Sequence, residues 1–259
     1  MDLGLGGKRV LITGGSRGIG FACARGFLGE GASVVIAARD RARLDEAKKE
    51  LSARAQGTVE IVPLDMASPG AAEKLASAHP DIDILVNNAG AIPGGDLLTV
   101  DEAKWRAAWD LKVFGYINLA RAVFARMKAK KRGVIVNVIG LGGERMDFGY
   151  AAGAAGNAAL MALTQALGSR SVDHGIRVMG VNPGLVATER LPYLMGQRAE
   201  KEFGDAKRWP EIVAKLDLPM GRPATTEEIA NVVVFLASDR ASYMSGSIVR
   251  VDGGTMYRR

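Results

Sequence analysis

The residues best suited to do chemistry lie in a glycine-rich stretch, residues 13–20, which reads Thr-Gly-Gly-Ser-Arg-Gly-Ile-Gly. A short apolar segment precedes it and apolar residues at helical spacing follow it, which predicts a turn between a buried strand and a helix. Gly14 would make the turn, Gly18 would let the backbone approach a pyrophosphate, and Gly20 would let the helix pack close to the sheet. Free N–H groups and the positive end of the helix would then face an anion. We interpret the stretch as a phosphate-binding turn, with a purely structural turn as the alternative.

The end of the second predicted strand indicates which dinucleotide would bind. A site for NAD places a carboxylate here to bind the ribose 2′-hydroxyl, whereas this chain has Ala38 followed by Arg39. Arg17, inside the glycine turn, can approach the same corner. Two guanidinium groups suit a 2′-phosphate because they form charge-assisted, forked hydrogen bonds. The sequence therefore predicts NADP(H) rather than NAD(H), and Asp40 is interpreted as the cap of a helix that begins near Arg41.

Other candidates follow the remaining strands, because ligands of such sheets lie beyond the carboxyl ends of the strands. Asp65 could accept a hydrogen bond from an adenine amino group. Residues 87–90, Asn-Asn-Ala-Gly, could contact the adenine ribose while tying neighbouring strands together. Residues 182–188 could cover one face of a nicotinamide, with Thr188 near its carboxamide or the pyrophosphate. The predicted cofactor-binding residues are Gly14, Ser16, Arg17, Gly18, Ile19, Gly20, Arg39, Asp65, Met66, Asn88, Ala89, Gly90, Asn157, Pro183, Gly184, Val186 and Thr188.

The elements that position these residues alternate between strand and helix along the whole chain. Buried strands are predicted at residues 10–13, 33–37, 60–64, 84–87, 134–138, 177–181 and 248–251, and helices most clearly at 101–130, 158–172 and 226–238. Thr225 or Thr226 with Glu228 resembles a capping arrangement before the last helix. Such alternation predicts an α/β fold, a Rossmann-type doubly wound parallel sheet of about seven strands with helices on both faces. We expect one domain over residues 1–259.

Composition narrows the possible partners. The chain has 259 residues, of which 48% are hydrophobic and 24% charged, as expected for a globular protein. Its formal net charge is +6, but lysine and arginine are scattered among acidic residues, so we expect no nucleic-acid partner. No apolar run reaches the ~18 residues of a membrane span, and we expect no leader segment and no membrane partner. The single Cys23 and the distant His79 and His174 predict no metal site and a reducing cytoplasm.

Taken together, these segments resemble the short-chain dehydrogenase/reductase family over essentially the whole chain. The resemblance rests on residues 13–20, Asp65, residues 87–90 and Pro183-Gly184, and on the closing segments at 221–223, 235–238 and 251–254. It implies a nicotinamide cofactor, a small-molecule substrate, and a homodimer or homotetramer formed through long helices, here at residues 101–130 and 150–172. The small residues at 151–159 also predict a helix able to pack closely against its copy.

The resemblance further implies a catalytic set of Asn, Ser, Tyr and Lys, and this chain departs from it at every position. A gap-free register puts Asp110 at the Asn, Gly140 at the Ser, Gly153 at the Tyr and Asn157 at the Lys. In the family, Tyr exchanges a proton with the substrate oxygen and Ser hydrogen-bonds that oxygen. Lys binds the ribose and lowers the pKa of Tyr, and Asn holds a water. Asp110 and Asn157 are therefore kept as candidate catalytic residues.

Tyr150 is the third candidate catalytic residue, three positions before the expected tyrosine. In a helix its side chain would lean toward the N-terminus and away from the site, whereas a loop conformation could bring it back. A role in acid–base catalysis and a role in packing or substrate contact both remain open. Without an adjacent lysine, a tyrosine with a pKa near 10 is protonated at neutral pH, which favours carbonyl reduction over alcohol oxidation.

Residues 185–220 depart from the strand–helix rhythm and mix apolar residues with many charges. We interpret them as a mobile lid over the substrate, with a helix pair that merely packs on the body as the alternative. The leading hypothesis is an NADP(H)-dependent oxidoreductase with an altered proton-transfer site. The alternatives are a catalytically silent NADP(H)-binding sensor or partner protein, and an enzyme that uses the bound cofactor for elimination or isomerisation.

Overall fold

A parallel sheet of seven strands forms the centre of the computed structural model, which describes residues 1–53 and 55–258. The strands are β1 (Arg9–Thr13), β2 (Ser33–Ala38), β3 (Val59–Pro63), β4 (Ile84–Asn87), β5 (Gly133–Val138), β6 (Ile176–Pro183) and β7 (Ile248–Val251). They lie in the order β3-β2-β1-β4-β5-β6-β7 and all pair in parallel. Each predicted strand is present, and its ends lie within two residues of the predicted ones. The predicted fold class is confirmed.

Helices cover both faces of the sheet. They are α1 (Gly18–Gly29), α2 (Arg41–Ser52), α3 (Ala71–Ala78), α4 (Glu102–Trp109), α5 (Gly115–Lys130), α6 (Ala151–Arg170), α7 (Leu191–Phe203), α8 (Trp209–Lys215) and α9 (Thr226–Ala237). The single helix predicted at residues 101–130 is instead two helices joined by a π-helical turn, Asp110–Phe114. A π turn adds a residue without interrupting apolar periodicity strongly, so the sequence pattern conceals it.

The core forms two layers, one on each face of the sheet, and β1 contributes side chains to both. Val10 and Ile12 pack with helices α1 and α9 on one face, whereas Leu11 packs with α3 and α5 on the other. Successive strand residues point to opposite faces, so a run that is apolar throughout is buried on both sides.

Local capping signals in the sequence are confirmed. The Asp40 carboxylate accepts a hydrogen bond from the backbone N–H of Arg43 at 3.1 Å and caps α2. At α9 the Thr225 hydroxyl accepts from the N–H of Glu228 at 3.2 Å, and the Glu228 carboxylate accepts from the N–H of Thr225 at 2.8 Å. Both are contacts between near neighbours in the chain, which is why the sequence reveals them.

Helix α6 begins seven residues earlier than the clear periodicity predicts, at Ala151 rather than 158. Its glycines contact the chain itself: Gly153 lies under the ring of Tyr150, and a Cβ on Gly156 would lie 3.2 Å from the indole nitrogen of Trp109. That indole donates to the carbonyl of Ala152 at 3.0 Å. These glycines are therefore explained by packing inside the chain, a correction to the prediction that residues 151–159 as a whole form a surface for a second copy.

The order of strands reverses at β1 and β4, because the chain moves outward from β1 through β2 to β3 and then returns to β4. Connections leave this point in opposite directions and open a crevice beyond the carboxyl ends of the strands. The described residues include no helix that is both long and apolar enough to cross a membrane.

Candidate functional site

The glycine turn between β1 and α1 has the geometry of an anion site. Gly14 and Gly18 adopt left-handed backbone conformations, with φ of 67° and 57°, which favour glycine. A Cβ on Gly20 would overlap the carbonyl oxygen of Gly14 and the amide of Asn88. Within residues 1–53 and 55–258, no side chain caps the N-terminus of α1. The N–H groups of the first turn of α1 are thus left for a ligand, and the turn fits a pyrophosphate.

A continuous cleft of about 880 Å³ runs from this turn along the carboxyl ends of the strands. Most of the predicted cofactor-binding residues line it, namely Gly14, Ser16, Arg17, Gly18, Ile19, Arg39, Met66, Asn88, Ala89, Gly90, Pro183, Gly184, Val186 and Thr188. Three do not. Gly20 lies beneath the turn, and the Asp65 carboxylate accepts the N–H of Ala67 at 3.0 Å while its neighbours Leu64 and Met66 face the cleft. Asn157 lies behind the cleft wall.

Three arginines meet at one end of the cleft. Arg17, Arg39 and Arg43 all line it, and Glu189 accepts hydrogen bonds from Arg17 at 2.8 Å and from Arg43 at 3.2 Å. The hydrogen bond from Arg17 lowers the pKa of the Glu189 carboxyl below its usual value. These ion pairs are exposed and therefore weak. A phosphate placed here would compete with Glu189 for the same guanidinium groups.

Asn88 fastens the end of β4 to the glycine turn. Its side-chain amide donates to the carbonyl oxygens of Thr13 and Gly14 at 3.0 and 3.2 Å. The backbone N–H groups of Asn88 and Ala89 donate to the Thr13 hydroxyl at 3.0 and 3.1 Å. The predicted tie between neighbouring strands is confirmed.

Tyr150 does not belong to the helical part of α6. It is the residue before the helix, with φ −143° and ψ 36°, and this conformation turns its ring back over the first turn. A Cβ on Gly153 would overlap the ring, and a Cβ on Gly142 would lie 3.1 Å from it. The ring therefore fills the space where a side chain at position 153 would begin. Burial raises the pKa of the Tyr150 phenol above its usual value, and the nearby charge of Arg190 opposes that rise.

Asn157 lies beside Tyr150 at the segment 140–142. Its amide nitrogen would lie 3.2 Å from a Cβ on Gly140 and 3.5 Å from one on Gly142. The side chain is 2% exposed, and among the described residues its Oδ1 has no hydrogen-bond partner. An unpaired buried acceptor costs about 1–3 kcal/mol. Asn157 therefore lies directly behind the cleft residue Gly140, with its amide nitrogen toward the cleft and its oxygen unpaired among the described residues.

The structure does not bring Asp110 to these residues. Asp110 is exposed and lines a second cavity of about 940 Å³, which runs along α5 on the other side of the helix. Lys112, two residues further on, faces the cleft instead, is only 9% exposed, and donates from Nζ to the carbonyl oxygen of Ile139 at 2.5 Å. Residues two apart lie about 200° apart around a helix, so only one of the pair could face the cleft. That spacing was the signal available in the sequence.

The segment that follows β6 both covers the cleft and packs on itself. Leu191, Tyr193 and Leu194 line the cleft, whereas Met195 packs with Ile212 between α7 and α8. Arg190 joins this segment to the end of β4, where its guanidinium donates to the carbonyl oxygens of Gly90, at 3.0 Å, and Ile92. Part of this segment therefore lines the cleft and part packs on itself, and the mobile lid over a substrate stays a prediction.

Known proteins share this sequence and architecture. A family model described as enoyl-(acyl carrier protein) reductase matches residues 14–256. Galactitol 2-dehydrogenase (L-tagatose-forming) of Cereibacter sphaeroides is 34% identical over 252 residues, covering 96% of this chain and 95% of its own. The 3-oxoacyl-[acyl-carrier-protein] reductase of Escherichia coli is 32% identical over 248 residues, covering 96% and 97%.

Among solved structures, L-sorbose reductase from Gluconobacter frateurii, complexed with NADPH and L-sorbose, superimposes with a TM-score of 0.89. It is 35% identical, and the match covers 100% of both chains. With this fold and these sequence matches, the chain belongs to the short-chain dehydrogenase/reductase family, a family of oxidoreductases.

Proposed function

We propose that this protein is an NADP(H)-dependent oxidoreductase that reduces the carbonyl group of a small molecule through a non-standard proton-transfer site. One observation carries the proposal. A single cleft joins the glycine turn and its three arginines to Ile139 and Gly140, directly in front of Asn157 and beside Tyr150. Reduced NADP supplies a hydride to the carbonyl carbon when it is bound there.

The chain's own residues would divide the remaining work. N–H groups at the start of α1 bind the pyrophosphate, Arg17 and Arg39 bind the 2′-phosphate, and the Asn157 amide hydrogen-bonds a ribose hydroxyl. Tyr150 donates the proton to the carbonyl oxygen. Its raised pKa keeps the phenol protonated at neutral pH, which suits reduction. The segment 185–220 would act as the lid that excludes water from this step.

The relatives guide the choice of substrates to test. Their names refer to galactitol, L-sorbose and a 3-oxoacyl group, so the panel should include ketohexoses and 3-oxoacyl thioesters as well as simple ketones. We expect consumption of NADPH with at least one carbonyl compound and formation of the corresponding alcohol. Binding of NADPH without turnover of any compound would favour the silent sensor instead, and absence of NADPH binding would refute both.

Arg39→Ala should weaken NADPH binding by about ten- to a hundred-fold and leave NADH binding nearly unchanged. The lost interaction is a charged hydrogen bond to the 2′-phosphate, worth about 1.5–3 kcal/mol. Fluorescence titration of both nucleotides measures the effect. Preference of the wild-type protein for NADH would refute the assignment of the cofactor.

Two further variants test whether the effect on NADPH binding is specific to the arginines of the cleft. Arg41→Ala is the matched control, because Arg41 is exposed on α2 and pairs with Asp45 at 2.9 Å outside the cleft. Glu189→Gln should act in the opposite direction and tighten NADPH binding, because it frees Arg17 and Arg43 from their carboxylate.

We also expect the protein to assemble as a homodimer or homotetramer. Its expected location is the cytoplasm. The exposed residues of α6 include Ala155, Ala159 and Ala162, which lie on one side of the helix and would permit close approach of a copy. Light scattering at micromolar concentration measures the assembly. A single monomeric species would contradict the expectation.

A further inference from the structure

Lys112 is a buried cation in the wall of the cleft. It lies in the π-helical turn Asp110–Phe114, and its side chain runs past Gly90, where a Cβ would lie 2.8 Å from its Cδ. The absence of a side chain on Gly90 makes room for it. Its Nζ donates one hydrogen bond, to the carbonyl oxygen of Ile139 at the end of β5. An ammonium group has three N–H donors, so two remain for a ligand in the cleft.

No carboxylate compensates this charge within the described part of the chain. Arg190, from the segment after β6, is a like charge, and Tyr150, at the start of α6, is neutral; Asp110 points to the other cavity. Burial, reinforced by Arg190, lowers the pKa of Lys112 to about 7. A buried and unpaired ammonium destabilises a fold, and an apolar side chain of similar length would pack there without that cost. Its presence therefore indicates an electron-rich ligand in the cleft.

A second, independent observation lies at the same place. The backbone at Ile139 and Gly140 contacts Lys112 on one side and adjoins Asn157 on the other. Asn157 there carries the unpaired Oδ1 acceptor. The corner thus places cationic donors from one helix close to a side-chain amide from another, whose Nδ2 lies nearest Gly140 and whose Oδ1 has no partner among the described residues. Such a combination suits a sugar diol, whose hydroxyl groups both accept and donate hydrogen bonds.

On the basis of the proposed function, we propose that Lys112 binds the nicotinamide ribose of the cofactor, donating to one hydroxyl oxygen while the side-chain amide of Asn157 hydrogen-bonds the second hydroxyl. The resemblance would place the ribose-binding lysine at position 157 on α6 and an amide on the preceding long helix. In this chain the cation comes from the turn before α5 and the amide from α6. The cation and the amide thus come from the opposite helices to those that the resemblance implies, and both lie near the end of β5.

The test uses two probes, NADPH and adenosine 2′,5′-bisphosphate, which lacks the nicotinamide ribose. In the full-length protein, Lys112→Met should weaken NADPH binding by about ten- to a hundred-fold and leave binding of the bisphosphate unchanged. Lys112→Arg should keep NADPH binding within a few-fold of wild type, because it retains the cation. Lys128→Met, at an exposed lysine on α5, is the matched control.

The ratio of the two affinities should also depend on pH. Titration of the 2′-phosphate affects both probes, and titration of the 5′-phosphate of the bisphosphate affects wild type and Lys112→Arg alike, so the two proteins are compared at each pH. Relative to Lys112→Arg, the preference of wild type for NADPH over the bisphosphate should therefore decline above pH 7, where Lys112 loses its proton. Unchanged NADPH binding in Lys112→Met, or equal weakening of both probes, would overturn the inference. Failure of the wild type to bind either probe would instead refute the proposed function itself.

Discussion

Replacement of Tyr150 by phenylalanine should lower the rate of NADPH-dependent carbonyl reduction by about 10²–10⁴, the usual effect of losing a general acid. The phenyl ring would still fill the space over Gly153, because a Cβ there overlaps the ring itself and not the hydroxyl alone. The variant should therefore fold normally and bind NADPH with unchanged affinity. Steady-state rates with one substrate from the panel, together with an NADPH titration, separate these two effects.

Tyr193→Phe is the matched control for this prediction. Tyr193 lines the cleft and is 58% exposed, so loss of its hydroxyl should change the rate little. Asn157→Ala gives a different pattern, mainly a weaker affinity for the cofactor, because an amide can bind a ribose but cannot supply the proton. A Tyr150→Phe enzyme at full rate would exclude Tyr150 as the donor and leave the assignment of the cofactor intact.

Lys112→Met should raise the free energy of unfolding of the cofactor-free protein while it weakens the binding of the cofactor. The pKa of Lys112 is about 7 in the folded protein and near 10.5 when the chain unfolds. Between these values the unfolded chain holds a proton that the folded chain has lost, so the stability of the wild type rises with pH. Below pH 7 the charged Lys112 destabilises the folded protein by its full amount. This cost is up to about 5 kcal/mol, at 1.36 kcal/mol for each pH unit between the two pKa values.

The free energy of unfolding of Lys112→Met should therefore exceed that of wild type by most near pH 6. The difference should shrink by about 1.4 kcal/mol for each pH unit above 7. Urea unfolding between pH 6 and pH 8.5 measures it. This range stays below the ordinary pKa of 9.0 of the thiol of Cys23, whose pKa burial raises to about 12 in the folded protein. Lys112→Arg, which keeps its charge throughout, should show no such change with pH. Parallel curves for wild type and Lys112→Met would contradict the prediction.

A gain in stability that accompanies a loss of cofactor binding would also distinguish a ligand site from a structural role. A lysine that merely held α5 against β5 through Ile139 would give the reverse result, because its removal would break a buried hydrogen bond. Residues that serve a ligand commonly reduce the stability of the empty protein.

The sequence by itself determined the features that depend on neighbours in the chain. The glycine turn after β1, the Asp40 cap and the Thr225–Glu228 capping box each involve residues within a few positions of one another. The alternation of buried strands and helices then restricted the topology to a doubly wound parallel sheet, because crossovers between parallel strands are right-handed. Together these placed most of the predicted cofactor-binding residues on one cleft.

Only the tertiary structure decided the chemistry at the other end of that cleft. The ring of Tyr150 lies over Gly153 and near Gly142 because its backbone is non-helical, a conformation that the empty position at Gly153 permits. The spacing of Asp110 and Lys112 allows only one of them to face the cleft, and only the structure shows that it is Lys112, within a π-helical turn that apolar periodicity does not record. Both outcomes depend on contacts between segments far apart in the chain, where burial and available space, rather than local preference, select the conformation.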